Sequence, residues 1–381
     1  MKLVIPENHT LFSTAEDSYS LPITGSLYLP ASSLTDTPEI TIELVRYVKP
    51  RKKRAPVIQK SWNLTDCLSK RKSQPIQPRQ KSTSIPKAQE ETLVQCKLWT
   101  SPNTTNKQRY DFNLPVPSDI PATMQTVLGS VSYAITATAS SSTAMLQGSK
   151  IINILRYVEP ETKSHIRWYA GDKIMTELCA TPMVLEGKQR RTAYHLEWLA
   201  RSTITKGLRE SEVRYMVARE LRWRIDEIVS LTLLTHGSPR EKVCQQHIRK
   251  LCSGRKKGHW IASGSYNDGG DAIQIPFEVD IPTAVESTDV SSYPDSEHRD
   301  SLAITAEHRL YVEVITGEDT FHRETGDLVD RRARVKSYEA AFVLPVHRFS
   351  RDSEVRIQST HELPRYGEKF PVLPGYEDDE T

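Results

Sequence analysis

One pattern occurs twice in this chain, in segments about 165 residues apart, and it limits the fold more than any single motif. The first copy runs Tyr110-Asp-Phe-Asn-Leu-Pro-Val-Pro117, then Ser118-Asp-Ile-Pro-Ala122, and resumes at Ser130-Val-Ser-Tyr-Ala-Ile-Thr-Ala-Thr-Ala139. The second runs Ile273-Gln-Ile-Pro-Phe-Glu-Val-Asp-Ile-Pro282 and resumes at Ser301-Leu-Ala-Ile-Thr-Ala-Glu-His-Arg-Leu-Tyr-Val-Glu-Val314. Each pairs a short apolar element closed by prolines with a longer alternating segment, and a two-residue period places one face of a strand on a core. Two tandem copies predict two related all-β domains.

Length fits that count, because 381 residues exceed what one hydrophobic core comfortably organises and suit two domains. With 37% hydrophobic and 26% charged residues, the composition is that of a soluble protein with many exposed loops. No apolar run approaches the ~20 residues of a membrane span. Pro6 and Glu7 interrupt the start before a signal peptide's apolar core could form, so a cytosolic chain is expected. The sequons at Asn8, Asn63 and Asn103 are then without consequence. Cys67, Cys96, Cys179, Cys244 and Cys252 are odd in number and scattered, which fits a reducing compartment.

Alternation predicts strands at Ile23-Thr-Gly-Ser-Leu-Tyr-Leu29 and Glu39-Ile-Thr-Ile-Glu-Leu-Val-Arg-Tyr-Val48, paired with each other in one sheet. Residues 50–91 are rich in Lys, Arg, Gln, Ser and Pro and read as a long flexible basic insertion. Strands resume at Thr92–Trp99, Ser149–Val158, Thr192–Ala200, Ala218–Leu234 and Ser337–Val346. The fourth is expected to pass from a sheet edge into the centre of a sandwich. Pro239 to Ser253 is the one helix-like stretch, with Val243, His247 and Leu251 at i, i+4 and i+8. The resulting scheme is a first β-sandwich over 1–160, a second over 161–349, and a disordered, acidic tail over 350–381.

Phe112-Asn-Leu-Pro-Val-Pro, Ile120-Pro-Ala and Gly129-Ser-Val-Ser-Tyr, in that order, resemble the amino-terminal domain of the arrestin family. The strand Ile304-Thr-Ala-Glu-His308-Arg-Leu310-Tyr-Val312 is similar to one in that family's carboxy-terminal domain. The likeness spans roughly Leu21 to Phe349 and points to the alpha-arrestin branch, the fungal arrestin-related trafficking adaptors. It implies two immunoglobulin-like sandwiches that dock on membrane transporters or receptors, and a tail that recruits a ubiquitin ligase of the HECT class for ubiquitination and endocytosis.

The tail carries Leu363-Pro364-Arg365-Tyr366 and Leu373-Pro374-Gly375-Tyr376, ten residues apart. WW domains hold a proline ring of a polyproline II segment against aromatic side chains and a tyrosine in a second pocket. Leu replaces the first Pro of the usual Pro-Pro-x-Tyr at both sites, which weakens each, while two linked sites regain strength through avidity.

Net charge is only +3, but Arg46, Lys49, Arg51, Lys52, Lys53 and Arg54 form a basic run. It reads as a solvated loop, a site for acidic cargo tails, or a contact to an anionic leaflet worth about 1 kcal/mol per charge. Its Arg-Lys-Lys-Arg also has the form of a nuclear-localisation signal. No aromatic residues interleave with these charges, so nucleic acid is not an expected partner. Cys244, His247, Cys252 and His259 supply four possible zinc ligands, but in a spacing unlike a common finger; small residues packing one helix face explain them better, and no metal or cofactor is expected. There is no Gly-x-Ser-x-Gly, Walker loop, His-Glu-x-x-His or Gly-x-Gly-x-x-Gly, and neighbours such as Asp226 and Glu227 point to opposite strand faces. A non-enzymatic adaptor is the leading expectation. The alternatives are a ligase-independent sorting scaffold of the same shape, or an arrestin-shaped scaffold repurposed as an enzyme.

Overall fold

The computed structural model describes residues 1–13, 18–30, 39–51, 87–98, 109–142, 144–183, 192–234, 242–262, 272–281 and 301–349. Among these the regular structure is entirely β, with no helix. The first half opens with β1 (Lys2–Val4), β2 (Asn8–Ser13), β3 (Ser18–Ser20), β4 (Ile23–Tyr28) and β5 (Glu39–Pro50). It continues with β6 (Gln89–Leu98), β7 (Arg109–Leu114), β8 (Met124–Gln125), β9 (Gly129–Ser140) and β10 (Met145–Val158). These make a three-stranded sheet, β1-β4-β7, facing a larger one ordered β3-β2-β10-β9-β5-β6.

The second half comprises β11 (Lys163–Tyr169), β12 (Ile174–Met183), β13 (Thr192–Arg201), β14 (Ile204–Lys206) and β15 (Glu212–Leu234). Then follow β16 (Lys242–Trp260), β17 (Ile273–Ile281), β18 (Ser301–His322), β19 (Leu328–Val343) and β20 (Arg348–Phe349). One sheet is ordered β11-β12-β13-β17, and the other β14-β15-β18-β19 with β16 also on β15. The short β20 returns to the first half, parallel to β10 through Tyr157↔Arg348.

The sequence duplication has a topological counterpart. β7 and β17 are each the edge of the smaller sheet in their half, and the next long strand, β9 or β18, lies inside the opposing sheet. Strict alternation does the sorting: along β17 every second residue is buried, and along β7 Tyr110, Phe112 and Leu114 are inward. The inward sets of facing sheets then interdigitate as in a sandwich.

The core of the first half gathers Leu11, Ile23, Leu27, Ile40, Ile42, Leu44, Val131, Tyr133, Ile135 and Ile152, but also Val229, Leu231, Leu302 and Ile304 from β15 and β18. The second core holds Leu221, Ile225, Leu310, Val312 and Val314 from the same two strands, with Leu178, Leu196, Trp198, Ile275 and Phe277 from the facing sheet. β15 and β18 thus run antiparallel from Glu212↔His322 to Leu234↔Ser301 and serve both cores, with one bulge, between Ala218 and Glu220.

Four expectations are corrected. β4 and β5 do not pair: β4 lies between β1 and β7, and β5 between β6 and β9, because their apolar faces pack against each other across the core. The helix expected over 239–253 is the strand β16 where it is described. A spacing of four fits a two-residue period as well as a helical turn, and β15 offers a long edge that pairs from Ala218↔Trp260 to Leu233↔Lys242. The insertion is shorter than 50–91, since Pro50 ends β5 and Gln89 begins β6; residues 52–86 and the tail 350–381 lie outside the described residues. Finally, β15 passes from one core into the other rather than from an edge to a centre.

Leu231, fully buried on a second-half strand but packed in the first-half core, tests the shared core. Leu231→Ala should cost about 2–5 kcal/mol. Guanidinium unfolding followed by tryptophan fluorescence should show one transition shifted as a whole, rather than loss of one half alone.

Candidate functional site

The basic end of β5 meets the junction of the halves. Gly129, at the start of β9, lies so close to this strand that a Cβ there would stand 2.4 Å from the Lys49 carbonyl oxygen and 2.8 Å from Ile304 Cδ1. Only glycine lets β5, β9 and β18 approach in this way. Next to it, the Leu302 N–H donates to Gln89 Oε1 at 2.6 Å, tying β18 to β6.

The predicted basic run does not form one patch. Arg46 is 2% exposed and its Nη2 is held on Glu91 across the β5–β6 pair, so it is removed from the proposed cargo or lipid contact. The reason is register: residue 46 falls on the core-facing side with Leu44 and Val48, and the strand can bury a guanidinium there only against a carboxylate. Lys49 is exposed, with Nζ 5.3 Å from the Tyr47 ring centroid. Arg51 is exposed, its N–H bonded to the Leu128 carbonyl at 2.7 Å. Lys52, Lys53 and Arg54 lie outside the described residues, as do Leu363, Pro364, Tyr366, Leu373, Pro374 and Tyr376.

Between the two cores sits a polar cluster with no sequence motif. Glu227 lies on the inward face of β15 between Ile225 and Val229, opposite His308 on β18. Arg249 of β16 donates to Glu227 at 2.7 Å, and His308 Nε2 stands 3.7 Å from the other carboxylate oxygen. Burial alone would raise the Glu227 pKa, but His308 and Arg249 together hold it below the ordinary value. Close by, Arg156 is buried and donates to Ser13 Oγ at 2.6 Å and to the carbonyls of Ser118 and Ile120 at 2.8 and 2.7 Å. His347 is also buried, and burial first, then the charges of Arg156, His308 and Lys163, push its pKa down to about 3. A reader of the sequence could have found Glu227 as a carboxylate at an inward position of an apolar alternating run.

Of the four zinc candidates, the Cys244 side chain lies outside what is described, and His247, Cys252 and His259 do not converge. On an extended strand at about 3.3 Å per residue, Cys252 and His259 are about 23 Å apart and His247 further still. His259 is engaged elsewhere, with Nε2 3.5 Å from the fully buried Asp319, which Arg219 and Arg331 also pair at 2.9 and 3.2 Å. No cluster of three or more metal-ligating side chains occurs among the described residues. Asp226 and Glu227 point apart as expected, Asp226 pairing with Arg224 at 3.0 Å and Glu227 with Arg249. Among the described residues no helix is long and apolar enough to cross a membrane.

No protein-family model matches the chain, and no curated protein matches it. Among solved structures, the crystal structure of squid arrestin matches over 87% of this chain and 92% of that chain, at 9% identity and a TM-score of 0.37. The all-β sandwich character of this chain stands on its own strand register.

Two outcomes test the junction. Arg46→Ala leaves Glu91 unpaired beside a core and should cost about 1–3 kcal/mol, measured by urea unfolding, whereas a surface arginine would cost almost nothing. An unfolded chain carries the His347 imidazole near its ordinary value of 6.5. Between about 3 and 6.5 the unfolded state therefore binds the extra proton, and stability should fall as pH drops through that window, by at most about 1.4 kcal/mol per pH unit for this group. The slope of unfolding free energy from pH 7.5 to 5 should flatten in His347→Gln.

Proposed function

We propose that the protein is an arrestin-like, non-catalytic adaptor whose sandwich body docks on membrane cargo and whose tail recruits a WW-domain ubiquitin ligase of the HECT class. The observation that carries this reading is the joint occurrence of paired Leu-Pro-x-Tyr segments at 363–366 and 373–376 with a duplicated β-sandwich body. A WW domain needs only a proline and a tyrosine on an extended backbone, so the motifs suffice chemically. Lys49 and Arg51, exposed at the end of β5, offer acidic cargo segments a cationic contact that Arg46 does not. The adaptor would work from the cytoplasm, at the plasma membrane or endosomes. A scaffold of this shape that sorts cargo without a ligase is the competing reading.

Tandem WW domains titrated against the full chain decide between them. Tyr366→Ala or Tyr376→Ala alone should weaken binding about tenfold or more through lost avidity, and the double variant should abolish it. Equal binding by the double variant would leave the ligase-independent scaffold.

A further inference from the structure

The edge strands of the second half are not alike. β17 carries Pro276, Glu278 and Asp280; β16 carries Arg255, Lys256 and Lys257; and β19 carries Arg331, Arg332 and Arg334. Charges and proline of this kind keep an open edge from pairing with foreign strands. β11, the edge of the four-stranded sheet, carries no proline and only the charges Lys163 and Arg167, and exposes Ile166 at 65% and Trp168 at 56%; β16 and β19 also expose Val243, Ile248, Val329 and Val343, but no tryptophan. Trp168 is the one tryptophan among the large apolar side chains that are exposed in the described residues.

Strand alternation gives β11 two different sides. The His165 ring packs tilted against Phe342, 5.0 Å between centroids, and the Tyr169 hydroxyl donates to the Glu339 carbonyl at 2.8 Å, so the odd-numbered residues turn toward β19. Lys163 and Arg167 share that side, both exposed, and no ion pair joins either to a described residue. The Arg167 guanidinium lies 5.3 Å from the Tyr169 ring centroid. The even-numbered residues face out. Trp168 lies opposite Met175, with Arg201 beyond it, and Ile166 lies opposite Glu177, with Leu199 beyond it, so the apolar surface is confined to Ile166, Trp168 and Met175, with Leu199 behind Glu177. The carboxylate within this surface, Glu177, is already engaged by Ser164 at 2.5 Å and Arg201 at 3.9 Å. On the odd-numbered side the Glu339 carboxylate also acts on Tyr169, and Lys163 and Arg167 together outweigh it, so the edge keeps a small positive excess.

We propose that the free edge of β11 is a docking site for an extended polypeptide segment in which carboxylates alternate with apolar side chains, added to the sheet as a further strand. In such an addition the backbone supplies the ladder, and alternate side chains meet the two faces separately. Apolar residues cover Ile166 and Trp168, while the intervening carboxylates face Lys163 and Arg167. An anionic bilayer fits less well, because Glu197 and Glu278 project from the same sheet face as the exposed apolar groups and would repel it. This surface is independent of the tail motifs.

The test uses the full chain and a fluorescein-labelled octapeptide of alternating Glu and Val, with a Lys–Val octapeptide as control. The Glu–Val peptide should bind at least tenfold more tightly than the Lys–Val peptide. A strand addition uses only every second peptide N–H, so methylating one alternate set of peptide nitrogens should abolish binding while methylating the other set leaves it intact. Lys163→Glu with Arg167→Glu should reverse the preference between the two peptides, and Ile166→Ser with Trp168→Ser should weaken both, each variant first shown to be folded by circular dichroism. Equal binding of the two peptides, or equal effects of the two methylation patterns, would overturn the proposal. So would binding of phosphatidylserine vesicles that depends on Trp168 while neither peptide binds, which would assign the edge to a membrane.

Discussion

The antiparallel pairing of β15 with β18 is the constraint on which the rest of this structure depends. The two strands are 23 and 22 residues long, about 75 Å at 3.3 Å per residue, and their inward side chains enter first one hydrophobic core and then the other. Separating the halves would expose Val229, Leu231, Leu302 and Ile304 together. Each is a fully or almost fully buried aliphatic side chain, and burying one contributes about 1.5–3 kcal/mol. A flexible linker between two independent domains makes no such demand. β20 adds a second tie, since the last described strand of the second half pairs with β10 of the first.

A strand that crosses from one core to another must pass a place where neither sheet faces it fully. Glu227 and His308 occupy that place, directly opposite each other, and Arg249 reaches in from β16. A carboxylate there without partners would be heavily penalised by desolvation. With a guanidinium on one oxygen and an imidazole near the other, it stays ionised and fixes the register where the pair crosses between the cores. A slip of one residue would turn Glu227 outward and drive its neighbours Asp226 and Ile228 to the wrong faces. The polar cluster at the junction therefore specifies alignment as much as it stabilises it.

Much of this was legible in the sequence, and the misses share a cause. Alternation located β4, β5, β7, β9, β13, β15, β17 and β18, because a two-residue period leaves a direct trace in residue type. It does not specify which strands pair: β4 and β5 carry the same alternation, yet they face each other across the core. β11 leaves no such trace, because Lys163-Ser-His-Ile-Arg-Trp-Tyr169 is exposed on both sides over most of its length and its residue types do not alternate. Charge alone puts Arg46 on the surface, but the alternation that places Leu44 and Val48 inside also places residue 46 there. The tail motifs are the reverse case, wholly a matter of sequence, since residues 350–381 are not among those described.

A shared core also limits how such a body can signal. In two domains joined by a linker, a partner bound to one can swing the other. Here a swing would have to break the aliphatic packing at Val229, Leu231, Leu302 and Ile304 and the Gln89–Leu302 hydrogen bond at once. Packed interfaces of this kind shift between discrete arrangements rather than bend continuously. Binding at the basic end of β5 and binding at a second-half edge are then expected to add independently, at fixed separation, unless a partner spans both.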